Sequence, residues 1–127
     1  MTYQCGPISG HVEDVTTDAT PKNLVLFAGN PSSSINGRLR VTARRPSDGA
    51  TKCWDLAAAM RMDANSVASN LANVGATAFG ASGDLTTLLL VTITFFNSGA
   101  DIGLTVTGLA GSTIEWCADF NGHQLVD

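Results

Sequence analysis

Charge is the first thing this chain lacks. Charged residues make up only 14% of its 127 residues, against roughly 25% in an ordinary soluble domain, and Thr, Ser, Asn and Gly take their place. Such a surface is wet but weakly self-repelling. It suits a subunit packed against others, and equally an extracellular β-domain with an uncharged polar coat. The net charge of −4 argues against a general affinity for nucleic acid or for an anionic membrane. Long apolar runs are also missing. The richest, L-L-L-V-T-I-T-F-F at 88–96, is far shorter than the roughly 18 residues a membrane helix needs and is broken by threonines. The opening M-T-Y-Q-C-G-P has neither the basic nor the apolar region of a signal peptide, so secretory export is not expected.

Reactive side chains are scarce. The three cysteines, Cys5, Cys53 and Cys117, are odd in number and show no C-x-x-C spacing, so the closely spaced ligand pairs of structural zinc are absent from the sequence. They read as reduced, buried thiols acting as small apolar residues, with no disulfide within the chain. The two histidines, His11 and His123, lack the glycine-framed serine or cysteine context of a catalytic partner and read as exposed terminal residues. Five of the eleven acidic residues sit in turn-like contexts (Asp14, Asp18, Asp48, Asp84, Asp101), where backbone capping explains them, and no local carboxylate pair suggests glycoside hydrolysis. G-L-A-G-S-T at 108–113 lacks the lysine of a phosphate loop, and D-A-N-S-V at 63–67 does not continue as a calcium loop. No catalytic, cofactor-binding or metal-ligating residue is assigned, no cofactor is expected, and the chain reads as a non-enzyme.

What the chain does have is alternation. In R-L-R-V-T-A-R-R at 38–45, Leu39, Val41 and Ala43 alternate with Arg38, Arg40, Thr42 and Arg44. In C-W-D-L-A-A-A-M-R-M at 53–62, Trp54, Leu56, Ala58, Met60 and Met62 alternate with Cys53, Asp55, Ala57, Ala59 and Arg61. Period two gives each arm one buried and one exposed face. Pro46-Ser47-Asp48-Gly49 supplies the reversal, because Pro presets φ, Asp bonds its own backbone and Gly accepts positive φ. A long antiparallel hairpin is therefore expected. Its arginines read as a solvated face or as partners of carboxylates, since no aromatics interleave with them as a nucleic-acid stripe would require. Asp55 is expected to pair with an arginine of the facing arm. Trp54 and Trp116 fall on core faces, so core packing is expected over a carbohydrate-stacking role.

Around the hairpin, Lys22–Ala28 reads as a buried strand and Asn36-Gly37 as a turn. Residues 63–83 read as a loop with at most a helical turn, and 75–83 as a flexible connection. Leu85–Phe96 is apolar on both faces, Leu89, Val91, Ile93 and Phe95 against Leu88, Leu90 and Phe96. It is expected to be central or to be covered by another subunit. Ile102–Thr107 and Thr113–Phe120 complete the strands, the latter with Ile114, Trp116, Ala118 and Phe120 inward and Glu115 and Asp119 outward. The fold expected is all-β: an antiparallel, jelly-roll-like β-sandwich over 24–127, preceded over 1–23 by an extended N-terminal arm that holds at most a short strand at Ile8–Val15.

Three stretches carry a family resemblance: 37–61, the strand at 88–95, and L-T-V-T-G-L-A-G-S-T-I-E-W-C-A-D-F at 104–120. The sequence resembles the β-structured domain of tailed-bacteriophage virion proteins, found in tail-fibre and virion-surface polypeptides. The matching positions are Arg44, Asp48, Gly49, Lys52, Trp54, Asp55 and Leu56, then Val106, Thr107, Gly108, Thr113, Ile114, Trp116 and Ala118. These are structural positions, and they carry no catalytic residues with them. The resemblance implies a phage virion structural protein assembled in the host cytoplasm. The reading preferred from the sequence is a capsid decoration or cement subunit, a homo-oligomer and most simply a trimer, contacting the major capsid protein or other virion proteins. The rival reading is a tail-fibre or receptor-binding module that recognises a host-cell glycan.

Overall fold

A computed structural model describes residues 3–30, 32–62, 68–69, 76–79, 91–98 and 101–126. Strands β1 (Gln4–Thr16), β2 (Lys22–Ala28), β3 (Ser33–Arg44), β4 (Thr51–Met62), β5 (Ala68–Ser69), β6 (Ala76–Phe79), β7 (Thr92–Ser98), β8 (Asp101–Thr107) and β9 (Ile114–Val126) form two sheets. The larger runs β1-β9-β3-β4-β5, with β6 also on β4; the smaller runs β2-β8-β7. Every pairing is antiparallel. The architecture is the expected β-sandwich, and no helix occurs among the described residues.

The β3–β4 hairpin is as the alternation implies. Leu39, Val41, Ala43, Trp54, Leu56, Ala58, Met60 and Met62 are all buried, and the two arms pair without interruption from Ser33↔Met62 to Arg44↔Thr51. At the turn Gly49 has φ +75°. The Asp48 carboxylate accepts from the Ala50 amide at 3.0 Å and from Arg45 Nη2 at 2.7 Å. Arg45 is only 6% exposed, and its amide and carbonyl also close the turn with Ala50 and Gly49.

The core lies between the sheets, where alternating faces of β3, β4 and β9 meet Leu24, Phe27, Ile102, Leu104 and Val106. The register opposes Trp116 to Ala43, and Trp54 to Val41. Because Ala43 is small, the two indoles meet across β3, stacked with centroids 6.1 Å apart. They are 7% and 2% exposed, so both tryptophans are core residues. The Trp116 indole N–H donates to Thr16 Oγ1 at 2.9 Å, which satisfies its polar end. Lys52 Nζ donates to the Val91 carbonyl at 2.7 Å and lies 5.0 Å from the Trp54 ring centroid; burial pushes its pKa down.

Four expectations are corrected. Residues 4–16 are not an arm. They form a thirteen-residue strand paired along its length with β9, from Gln4↔Val126 to Thr16↔Ile114. Asn36-Gly37 is not a turn but the middle of β3, opposite Gly122. A Cβ on Gly37 would lie 2.5 Å from the Asn121 carbonyl oxygen and 2.7 Å from Phe120 Cζ, so glycine here lets backbone and ring approach closely. The Phe120 ring stacks in turn on Phe27 of the other sheet, with centroids 5.0 Å apart. Residues 76–79 are a strand on β4 and not a flexible connection. Finally, β7 is the edge of the smaller sheet as described, with β8 at its centre. Val91, Ile93 and Phe95 do face the core. Leu88, Leu89 and Leu90, and the helical turn considered within 63–75, lie outside the described residues.

Candidate functional site

Strands β1, β9, β3 and β4 present a broad outward face. Their registers align side chains in rows across all four strands. One row reads His11–Asp119–Arg40–Asp55, and the next reads Glu13–Cys117–Thr42–Cys53. The first alternates in charge, the arrangement that stabilises neighbouring strands. The arginines of β3 are interleaved with carboxylates, in line with their reading as partners of carboxylates. Arg38 Nε and Nη2 donate to Asp55 at 2.7 and 3.2 Å, and Arg44 lies 3.6 Å from Glu115. Asp55 thus pairs with the facing arm as expected, and the Arg38 guanidinium holds its carboxyl below the ordinary range.

At one end of this face is an open groove of about 470 Å³, lined by Glu13, Val15, Thr42, Arg44, Glu115 and Cys117 among others. Its exposed lining is mostly apolar, with Val15 prominent, and carboxylate acceptors, a guanidinium donor and a hydroxyl are set among the apolar groups. The groove gathers Glu13 and Glu115, carboxylates from opposite ends of the sequence, which a search for locally paired acids cannot find.

His11 lies in β1, beside the groove. Its Nδ1 bonds Asp119 at 2.5 Å and its Nε2 bonds Glu13 at 3.0 Å. The Asp119 and then the Glu13 contacts raise its pKa above the ordinary value of 6.5. Donor atoms of His11, Cys117 and Asp119 all lie within 4.8 Å of one another. The absence of C-x-x-C spacing therefore did not mean an absence of clustered donors. The pairs H-x-E and C-x-D each put two side chains on one strand face, and β1–β9 pairing joins them. His123 is exposed on β9, opposite Pro7 and Asn36. Asp14, expected in a turn, is in β1, where its carboxylate accepts from Lys22 Nζ at 2.9 Å and from the Val15 amide at 2.8 Å.

The cysteines are free but not buried as expected: Cys5 is exposed, and Cys53 and Cys117 are half-buried on the outward face. Both oppose Thr42 from its two sides. That separates them by two strand spacings, roughly 10 Å, beyond the reach of a disulfide. Burial, followed by the Asp119 and Glu13 charges, pushes the Cys117 thiol up.

No protein-family model matches the sequence, and a comparison with curated proteins gives no match. Among solved structures, the chain is similar to the tailspike protein of Acinetobacter phage vB_ApiP_P1, with a TM-score of 0.52 and 12% identity. The likeness covers 91% of this chain but 22% of the tailspike, so it is a likeness of fold to one segment of a much longer chain.

Proposed function

We propose that this chain is a β-sandwich module of a tailed-phage virion, belonging to the tail as part of a fibre or spike. In this role the outward face of the larger sheet binds a host-cell surface glycan. The observation that carries the reading is the fold likeness over 91% of the chain to a tailspike segment. It agrees with the sequence resemblance to virion proteins and favours the tail over the capsid. The groove suits a sugar, whose apolar ring faces and hydroxyl edges match its mixed lining. Glu13 and Glu115 accept hydroxyl hydrogen bonds, and Arg44 donates. With both tryptophans in the core, recognition rests on hydrogen bonds and on apolar contact with Val15, and not on indole stacking. The role is binding and not catalysis. The module works as a homo-oligomer, a trimer by the same resemblance, in contact with other virion proteins and assembled in the host cytoplasm. Capsid decoration is the second reading, and the low charged fraction of 14% is what favours it.

Labelled chain applied to host cells and to their purified surface polysaccharide tests the binding role. Saturable binding is expected, weakened in Arg44→Ala and Glu115→Ala without loss of fold. Binding that survives both substitutions removes the groove from the account. Absence of binding contradicts the receptor role, and release of soluble oligosaccharide would make the module an enzyme.

A further inference from the structure

The block formed by β1 and β9 on the outward face holds four potential donor side chains in two facing pairs, His11 opposite Asp119 and Glu13 opposite Cys117. We propose that His11, Cys117 and Asp119 form a binding site for a borderline transition-metal cation of the Zn²⁺ class, with Glu13 fixing the imidazole. The donor atoms of the three ligands already lie within 4.8 Å of one another. Tetrahedral zinc, with bonds of about 2.0 Å to nitrogen and 2.3 Å to sulfur, brings its ligand atoms to roughly 3.5 Å apart. Small rotations of the part-exposed His11 and Asp119 side chains, 52% and 48% exposed, close that difference without moving the strands.

The imidazole is oriented for the task. Nδ1 faces Asp119 and the cluster, while Nε2 lies 3.0 Å from the Glu13 carboxylate. A ligating histidine characteristically donates its other ring N–H to a carboxylate, which fixes tautomer and ring plane. Glu13 stands where that second partner is needed. Bound as neutral imidazole, thiolate and carboxylate, the three ligands carry two negative charges and neutralise a divalent cation. The protons on Cys117 Sγ and on His11 Nδ1 both pass to solvent as the sulfur–metal and nitrogen–metal bonds form. The mixed nitrogen, sulfur and oxygen set favours Zn²⁺ or Co²⁺ and disfavours Mg²⁺ and Ca²⁺, which take oxygen ligands. Three protein ligands leave a fourth position for water or a ligand oxygen. Cys117 and Glu13 also line the groove, so that position lies at its edge. This assignment rests on the local geometry alone and is independent of the tail reading.

The test is titration of the reduced 127-residue chain with Zn²⁺ by calorimetry and with Co²⁺ by absorption. One ion per chain is expected, with a near-ultraviolet thiolate-to-cobalt charge-transfer band. Cys117→Ser should abolish that band. His11→Ala and Asp119→Asn should each weaken Zn²⁺ binding at least about tenfold, and Glu13→Ala about 10–100-fold, as for other partners of a ligating histidine. Cys5→Ser, Cys53→Ser and His123→Ala should leave binding unchanged. Circular dichroism confirms that each variant keeps its β signature, and Asp119→Asn, which preserves shape, serves if His11→Ala does not fold. A missing charge-transfer band, binding unchanged in Cys117→Ser, or binding lost in Cys5→Ser or Cys53→Ser overturns the assignment.

Discussion

Trp54 and Trp116 stack on each other across β3, with ring centroids 6.1 Å apart and planes 21° from parallel. They come from strands that are not neighbours, so this contact ties both flanks of the hairpin arm to the core. Truncating either to Ala should cost about 3–5 kcal/mol in denaturant unfolding. A double-mutant cycle should return about 0.5–1.5 kcal/mol of coupling beyond area burial. Coupling near zero would mean that the rings merely share the core.

Gly37 makes a second packing prediction. Its missing side chain admits the Phe120 ring and the Asn121 carbonyl. Gly37→Ala should therefore destabilise by about 1–3 kcal/mol, despite alanine's better intrinsic fit to a strand. Unchanged stability would show that β3 and β9 separate at little cost.

These two contacts also mark what the sequence could and could not reveal. The hairpin was readable because both arms alternate without a break and a Pro-Ser-Asp-Gly turn joins them. The same alternation placed both tryptophans inside. By contrast, β1 and the second half of β9 contain Gly6, Pro7, Gly10 and Gly122, which read locally as breakers. In the sheet, a Cβ at Gly10 would meet the Leu26 carbonyl and one at Gly122 the Asn36 carbonyl, so these glycines are sites of close backbone approach. Asn36-Gly37 resembles a turn for the same reason. The His11 cluster shows locally only as the separate pairs H-x-E and C-x-D, because His11 and Asp119 are 108 residues apart. Only the pairing of the first strand with the last brings them together.

Acid should weaken the fold through its paired aspartates. Arg38 lowers the Asp55 pKa below the ordinary 3.8. Lys22, and then the Val15 amide, lower that of Asp14. A carboxyl depressed in the folded state stabilises it above the unfolded pKa, and that contribution disappears as pH falls through the lower, folded value. The melting temperature should therefore fall as pH drops below about 4, and the fall should be shallower in Asp55→Asn. An identical acid profile in that variant would show that the Arg38 pair contributes nothing measurable. The effect should be small, because both pairs face solvent.

Thiol reactivity should separate the three cysteines. Exposed Cys5 should react first with an aromatic disulfide reagent under native conditions. Cys117 should lag behind it, because its raised pKa leaves little thiolate. Intact mass of the purified protein should correspond to three free thiols. A two-hydrogen deficit, or Cys117 reacting first, would contradict this description of the outward face.

Placement on the virion tests the central claim most directly. Quantitative mass spectrometry of purified particles gives the copy number of this chain relative to the major capsid protein. A tail module should be present at least an order of magnitude below the capsid protein. A copy number approaching that of the capsid protein would contradict the tail assignment and restore capsid decoration; absence from the particle would contradict both.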